Sequence, residues 1–176
     1  VSAGLFLAAL GIRPDVAAAL GQPAFLSKMA VVTAVGAAAL PVVAALGRPG
    51  RRVPLEGLAA VAAALLALLV VDLAATPRAD WVARTAGNNA RACLVFVSLL
   101  AAAPLVGILS ALRHAAPTRP AAAGAAAGLL AGALGAILYG LHCPDDAPMF
   151  VAAWYGTALA ATSAAGALAG RLLLRW

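Results

Sequence analysis

The chain has 176 residues, of which 65% are apolar and only 10% are charged, and its formal net charge is +6. Soluble domains contain about 45 to 50% apolar and about 25% charged residues, so this composition excludes an ordinary water-soluble domain. It also excludes a disordered chain and a disulfide-rich scaffold. The arginines are scattered between apolar runs, which is typical of membrane topology, and we expect membrane lipid and no direct nucleic acid as a partner.

Long apolar runs divide the chain into predicted membrane spans. The opening run, residues 1–11, covers only about half of a bilayer core of about 30 Å, so we interpret it as the end of a span that begins before Val1. Five longer runs follow, at residues 24–47, 55–75, 92–112, 121–141 and 149–170. Backbone groups in lipid must be paired within their own segment, and the runs lack the alternation of barrel strands. The predicted fold is therefore all-α, a single polytopic transmembrane helical bundle of six spans with the first truncated.

The charges in the connections between runs indicate the orientation. One side has a net charge of +6, from Arg48, Arg51, Arg52, Arg113, Arg119, Arg171 and Arg175 with Glu56. The other side is neutral, with Arg13, Lys28, Arg78, Arg84 and Arg91 against Asp15, Asp72, Asp80, Asp145 and Asp146. The positive-inside rule places the arginine-rich side in the cytoplasm. We expect a multi-pass protein of the bacterial inner membrane with both termini cytoplasmic.

Small residues and prolines predict how the helices pack. Gly124, Gly128 and Gly132 recur at four-residue spacing, as do Gly166 and Gly170. Such spacing lets helix backbones approach closely, so we expect these glycines to form packing seams. Two prolines inside predicted spans, Pro41 and Pro104, are expected to kink their helices.

Polar and aromatic residues near the predicted outer surface are expected to lie at the membrane interface. Lys28 and Asp72 are shallow enough to snorkel or to pair, Asp72 with Lys28 or Arg91. The loop that joins the first two runs, residues 12–23, carries Arg13 and Asp15. An aromatic belt is predicted from Trp81, Trp154, Tyr139 and Tyr155 on the outer side and Trp176 on the inner side.

The densest polar cluster is His142-Cys143-Pro144-Asp145-Asp146. Thiolate and imidazole groups bind soft or borderline metals, so Cys143, His142 and Cys93 are candidate ligands of a thiophilic metal ion. Two thiols on the same outer side can also form a disulfide if their Cα atoms lie within about 7 Å. The third interpretation is a plain turn that its proline and aspartates end and solvate. Spacing alone leaves all three open.

Signatures of catalysis are missing from the sequence. It contains no nucleophile elbow, no phosphate-binding loop and no Cys-x-x-Cys pair. We therefore do not expect an enzyme.

The last forty or so residues resemble a known family. The run from Tyr139 to Tyr155, with its His-Cys-Pro-Asp-Asp core, and the closing stretch from Gly166 to Trp176 closely resemble the NrsF family of negative regulators of sigma F. Earlier features agree, namely Gly87-Asn88-Asn89 leading to Cys93, Pro104, and Ala116-Pro117 to Pro120.

The resemblance implies a membrane anti-sigma factor that sequesters an extracytoplasmic-function sigma factor and releases it on envelope stress. The family's paired cysteines correspond to Cys93 and Cys143, which implies a periplasmic pair that senses metal or oxidant. The family's sigma-binding part is a cytoplasmic segment before the first helix, which we interpret as absent from this chain, so sigma-binding residues are unknown. Two other functions stay open, a small-solute or ion carrier and a passive membrane scaffold.

Overall fold

A computed structural model describes residues 2–115 and 117–174 of the chain. Val1, Arg175 and Trp176 lie outside the described residues, and with them the start of the first run, part of the basic tail and the inner end of the predicted aromatic belt. Nine α-helices occur in the described ranges: α1 Ser2–Ala9, α2 Val16–Ala19, α3 Pro23–Leu46, α4 Glu56–Ala75, α5 Trp81–Ala86, α6 Ala90–Arg113, α7 Pro120–Gly140, α8 Pro148–Phe150 and α9 Gly156–Leu173. A 3-10 turn, Arg78–Asp80, precedes α5, and a π-helical segment, Val151–Tyr155, joins α8 to α9.

The all-helical prediction is confirmed, since the described ranges contain no strand. Four helical segments are long and apolar enough to cross a membrane: Pro23–Leu46, Glu56–Ala75, Arg78–Arg113 and Pro120–Gly140. The helix α1 has eight residues, and α9 carries polar residues such as Thr162 and Arg171, so neither reaches that standard. Six spans therefore remain a prediction.

One predicted loop contains regular structure. Residues 12–23 were expected as a plain connection, but the short helix α2 lies within them. Three consecutive alanines, Ala17 to Ala19, favour helix locally, and apolar periodicity cannot reveal so short an element.

The helix α7 lies at the centre of the bundle and packs against α3, α6 and α9. A Cβ atom added to Gly124 would meet the backbone of Gly166 and come within 2.9 Å of the Gly170 Cα atom. At Gly128 it would lie 2.8 Å from the Ser163 Cα atom. These distances are too short for any side chain, so the predicted glycine seam between α7 and α9 is confirmed.

The other predicted sequence features of the spans have mixed outcomes. Pro41 and Pro104 lie inside α3 and α6, which continue through them, so the kinks stay a prediction. Tyr139 and Tyr155 were expected in an interfacial belt, which is wrong, since each is only 1% exposed and belongs to the bundle core. An aromatic residue near a helix end can face lipid or the neighbouring helices, and the sequence does not distinguish the two.

The bundle has two ends with different chemistry. The cysteine end comprises the connections at residues 10–22, 76–89 and 141–147. The arginine end comprises residues 47–55 and 114–119, except Ala116, together with the last turn of α9. The two ends thus correspond to the neutral and the basic sides predicted from the sequence.

Candidate functional site

The two cysteines lie in one buried cluster at the cysteine end. Cys93 is in the first turn of α6, and Cys143 lies in the connection between α7 and α8, residues 141–147, which we call the cysteine loop. Both are free thiols with 0% exposure. Phe6 of α1 belongs to the same cluster. The structure thus brings together both sulfur atoms that the sequence singles out and places α1 against them.

Aromatic rings surround the thiols. The Tyr139 ring lies 5.9 Å from the Phe96 ring and 6.4 Å from the Tyr155 ring, measured between centroids, and Phe150 packs on Tyr155 at 6.3 Å. The buried Tyr155 hydroxyl has no hydrogen-bond partner among the described residues. The cluster therefore keeps water from both sulfur atoms.

Burial sets the acidity of the loop thiol. It raises the pKa of Cys143, and the backbone of Asp145 and the charge of Lys28 only partly oppose this effect. A thiol reacts with oxidants and soft metals as the thiolate, so Cys143 is protected in the packed state.

Asp145 joins the cysteine loop to the start of α6. One of its carboxylate oxygens accepts hydrogen bonds from the backbone N–H groups of Asn88 and Asn89, at 3.1 and 2.9 Å, and from the Asn89 side-chain amide at 2.9 Å. These groups precede the helix whose first turn holds Cys93, and a carboxylate there complements the helix dipole. The two cysteine-bearing segments are therefore directly hydrogen-bonded.

Gly87 makes this junction possible. Its φ is +55°, a conformation that side chains disfavour, and an added Cβ atom would lie 2.5 Å from the Phe150 ring and 3.0 Å from the Asp145 carboxyl carbon. Glycine is thus required here both by the backbone and by the space available.

Asp146 holds a buried ionic network. It pairs with the Lys28 ammonium and, at 2.9 Å, with the Arg13 guanidinium. Arg13 also pairs with Asp15 at 2.7 Å, and Lys28 donates to the Cys143 carbonyl oxygen at 2.8 Å. The ring of Phe25 lies beneath both cations, 5.7 Å from Arg13 and 5.3 Å from Lys28. Lys28 does not snorkel, since its side chain is 0% exposed.

The ion pair between Arg13 and Asp15 favours the charged form of both side chains. The hydrogen bond to Asp15 raises the pKa of Arg13, and the same contact lowers the pKa of Asp15. Arg13 and Asp15 thus stay charged together across the ordinary pH range.

The cysteine loop also binds the backbone that follows α1. The Arg13 N–H donates to the Leu141 carbonyl oxygen at 3.0 Å. The Nδ1 atom of His142 lies 3.1 Å from the Gly11 carbonyl oxygen, and since a carbonyl only accepts, Nδ1 carries the proton. We call Gly11 to Asp15 the latch segment, because these contacts fix it to the cysteine loop.

Asp72 connects α4 to the same end of the bundle. It was expected to pair with Lys28 or Arg91, which is wrong, since it pairs with Arg84 at 2.8 Å. Its second oxygen accepts the Met149 N–H at 3.1 Å at the start of α8. The segment from 76 to 89 folds back over α4 through the 3-10 turn and α5, which brings Arg84 within reach.

The three-residue metal site is not assembled. In the part of the chain that the structure describes, no three Cys, His, Asp or Glu side chains are grouped to hold a metal ion. His142, predicted as a ligand with Cys93 and Cys143, contacts the latch segment through Nδ1, and a histidine that donates through one ring nitrogen can still bind a metal through the other. A metal role for these three residues stays a prediction.

Comparison with known proteins decides the family. A family model described as "Negative regulator of sigma F" matches residues 1–176. The chain is 37% identical over 180 residues to the anti-sigma-F factor NrsF of Caulobacter vibrioides, covering 98% of this chain and 82% of that protein. It is 34% identical over 181 residues to the probable anti-sigma-F factor NrsF of Azospira oryzae, with the same coverage. No solved structure matches the chain.

This chain belongs to the NrsF family. The resemblance drawn from the closing residues is thereby confirmed over the whole chain. The named relatives also support an anti-sigma factor role, and thus a sigma factor partner and a regulatory rather than an enzymatic protein.

Several residues that build this NrsF site were missed in the sequence. Lys28, Arg13 and Asp146 form one network although they come from distant parts of the chain. The available signal was the charge balance, because an outer side with equal numbers of acids and bases is expected to pair them. Which acid meets which base depends on helix packing, which the spacing of charges does not encode.

Proposed function

We propose that this NrsF protein is a multi-pass anti-sigma factor of the inner membrane that holds an extracytoplasmic-function sigma factor inactive. In this proposal Cys93 and Cys143 face the periplasm and sense metal or oxidant, and the sigma factor binds on the cytoplasmic side. Six spans with both termini cytoplasmic are part of the proposal. The difference in net charge between the two sides, one basic and one neutral, and the positive-inside rule support the orientation.

The observation that carries the proposal is the packing of α1 and the latch segment on the cysteine cluster. Phe6 shares the cluster with both thiols, and the cysteine loop holds Gly11 and Arg13 by hydrogen bonds. A change at the sulfur atoms therefore acts first on the helix nearest the N-terminus. The resemblance to the NrsF family implies that the segment before the first helix binds the sigma factor.

Two chemical events would change the cluster. Oxidation joins the two sulfur atoms, with two protons released and two electrons passed to an oxidant such as chromate. A thiophilic cation such as cadmium binds both thiolates and displaces two protons. Either event replaces two separate thiols by a fixed distance, and it shifts the bundle only through a difference in affinity between two packings.

The protected thiols give the sensor a threshold. Because burial raises the pKa of Cys143, the packed state reacts slowly, and reaction requires the cysteine loop to open. Opening breaks the contacts to the latch segment at the same time. Reaction then traps the open state and keeps the latch segment free.

The test is a sigma-dependent reporter in cells that express the full-length protein. The Cys93→Ser, Cys143→Ser double variant is expected to keep the sigma factor repressed under cadmium or chromate stress. The matched control is Ala136→Ser, which adds a hydroxyl group to the same buried cluster and leaves both thiols in the chain. Normal induction in the double variant would refute the sensing role, and reporter activity that stays unchanged when the protein is deleted would refute the anti-sigma role.

A second measurement separates a sensor from a bystander pair. Intact cells are treated with a membrane-impermeant maleimide, with and without prior reduction and with cadmium competition. Labelling that cadmium blocks, or that requires reduction, is expected for a single outer site. Independent labelling of both cysteines that cadmium leaves unchanged would remove the sensing role and keep the orientation.

A further inference from the structure

The arginine end carries a basic pocket away from the cysteines. It has a volume of about 460 Å³, within the range of small-ligand sites, and Arg48, Arg51, Arg52 and Arg119 line it. Three of these arginines lie in the connection between α3 and α4, and the fourth directly precedes α7. Two separate parts of the chain thus place cations around one cavity.

Most of this charge is uncompensated. Arg52 pairs with Glu56 at 3.0 Å on the surface, and within the described ranges no ion pair involves Arg48, Arg51 or Arg119. The start of α7 adds the positive end of a helix dipole to the same cavity. The pocket is therefore suited to an anion, and its fork-shaped guanidinium groups match a phosphate in particular.

An apolar groove continues from this pocket along the bundle. Its volume is about 340 Å³, and it shares Leu46, Val53 and Arg119 with the basic pocket. Side chains of α3, α4 and α7 line its walls, including Val42, Leu58, Ala122 and Leu129. A phosphate-binding pocket at one end of a bundle, joined to an apolar groove between helices, has the shape and polarity of a phospholipid.

We propose that this pocket and groove bind one anionic glycerophospholipid, with the headgroup phosphate among the arginines and an acyl chain in the groove. The proposal rests on the membrane orientation proposed above, which sets the arginine end at the inner leaflet. Basic pockets between helices on that side bind anionic headgroups. Two simpler explanations of the basic pocket, a solvated loop and a site for free phosphate, do not account for the apolar groove that continues from it.

Native mass spectrometry of the purified full chain in detergent tests the site. Phosphatidylglycerol is titrated against phosphatidylcholine with the same acyl chains, and inorganic phosphate serves as a competitor. We expect phosphatidylglycerol to bind preferentially and inorganic phosphate to displace it poorly. Equal binding of the two lipids would overturn the proposal, and efficient displacement by inorganic phosphate would reassign the pocket to a free anion.

Charge-matched variants locate the binding. Arg51→Gln with Arg119→Gln is expected to weaken phosphatidylglycerol binding by about tenfold or more. Arg113→Gln with Arg171→Gln removes the same charge from exposed residues of the same end that do not line the pocket, and is expected to bind nearly normally. An equal loss in both variants would mean general surface attraction and would contradict a built site.

A groove-filling variant tests the acyl chain without changing any charge. Ala122→Leu narrows the groove and is expected to weaken phosphatidylglycerol binding, whereas Ala63→Leu on the exposed face of α4 is not. Sigma factor capture is measured separately in phosphatidylcholine nanodiscs. The lipid proposal is wrong if the Arg51→Gln, Arg119→Gln variant fails to capture the sigma factor in these nanodiscs but still binds phosphatidylglycerol in the mass spectrometry assay. The pocket would then be a binding site for the protein partner.

Discussion

Single charged side chains decide how firmly the cysteine end is held. Lys28 is fully buried, and its ammonium group is compensated by one carboxylate and one carbonyl oxygen, both from the cysteine loop. A buried charge is tolerated only while its partners stay in place. If the cysteine loop moves away, the Lys28 ammonium group either becomes exposed or stays buried without a partner for its charge.

Asp146→Asn is expected to lower the free energy of unfolding by about 3–5 kcal/mol, because it strands Lys28 and leaves Arg13 with Asp15 alone. Thermal or denaturant unfolding in detergent micelles measures the loss. The matched control is Asp80→Asn, an exposed aspartate outside the ion pairs of the described residues. Adding Lys28→Met to Asp146→Asn should recover part of the loss, and a double variant as unstable as the single one would contradict the argument.

The loop thiol makes a prediction about pH. Since burial raises the pKa of Cys143, the folded chain keeps the thiol protonated at pH values where the unfolded chain has formed thiolate. The stabilisation from this group is complete below its unfolded pKa and is lost as the pH rises toward the folded value. Alkylation of Cys143 in a Cys93→Ser background should therefore begin at higher pH in the folded protein than in the denatured protein. Identical pH profiles would contradict the burial.

Residue-scale chemistry was only partly predictable. The sequence singled out Cys93, Cys143 and the acidic loop, because those residue types are rare in so apolar a chain. It could not show that Asp145 accepts hydrogen bonds from Asn88 and Asn89 while Asp146 pairs with Lys28, since neighbouring residues in a turn point in different directions. The expected belt positions of Tyr139 and Tyr155 failed for the same reason, since direction rather than depth decides their role.

At the scale of helices, the seam between α7 and α9 brings two helix backbones into direct contact. Helices in lipid gain little from burying apolar groups, so close backbone packing and dispersion carry the association. The glycine spacing predicted this seam, because a four-residue repeat in two helices leaves one smooth face on each. Helix bounds were predictable to within a few residues, whereas α2 and α5 were not, because short helices depend on their tertiary neighbours.

Gly128→Ala is expected to destabilise the protein by about 1–3 kcal/mol, because the new methyl group would collide with the backbone at Thr162 and Ser163. Gly107→Ala in α6 is the matched control, since nothing lies within 4 Å of its added Cβ atom. That control should be neutral or stabilising by about 1 kcal/mol from helix propensity. Equal melting temperatures for the two variants would show that the seam is looser than described.

For the whole molecule, the division of charge between the two ends is the strongest indication of orientation. The sequence predicts it from loop composition alone, without knowledge of the packing. The structure adds that the acidic and basic residues of the cysteine end largely neutralise each other in pairs, whereas in the described part of the arginine end only Arg52 forms an ion pair. Net charge therefore reflects a real difference in surface chemistry between the ends.

The orientation predicts which ends a membrane-impermeant maleimide reaches. In a Cys93→Ser, Cys143→Ser background, Asp80→Cys should be labelled in intact cells after removal of the outer barrier. Arg48→Cys should be labelled only after the inner membrane is permeabilised. Both positions are exposed, so accessibility within the fold does not limit either reaction. The reverse pattern would invert the proposed topology.

The pairing of Lys28 with the cysteine loop also has a consequence for biosynthesis. Lys28 and Cys143 are 115 residues apart, so α3 is made long before the carboxylate that neutralises its lysine. Until α7 and the cysteine loop are inserted, the nascent bundle carries an uncompensated ammonium group at its edge. Any chain that terminates before Asp146 lacks the carboxylate that pairs with Lys28 and is expected to pack less stably than the completed chain.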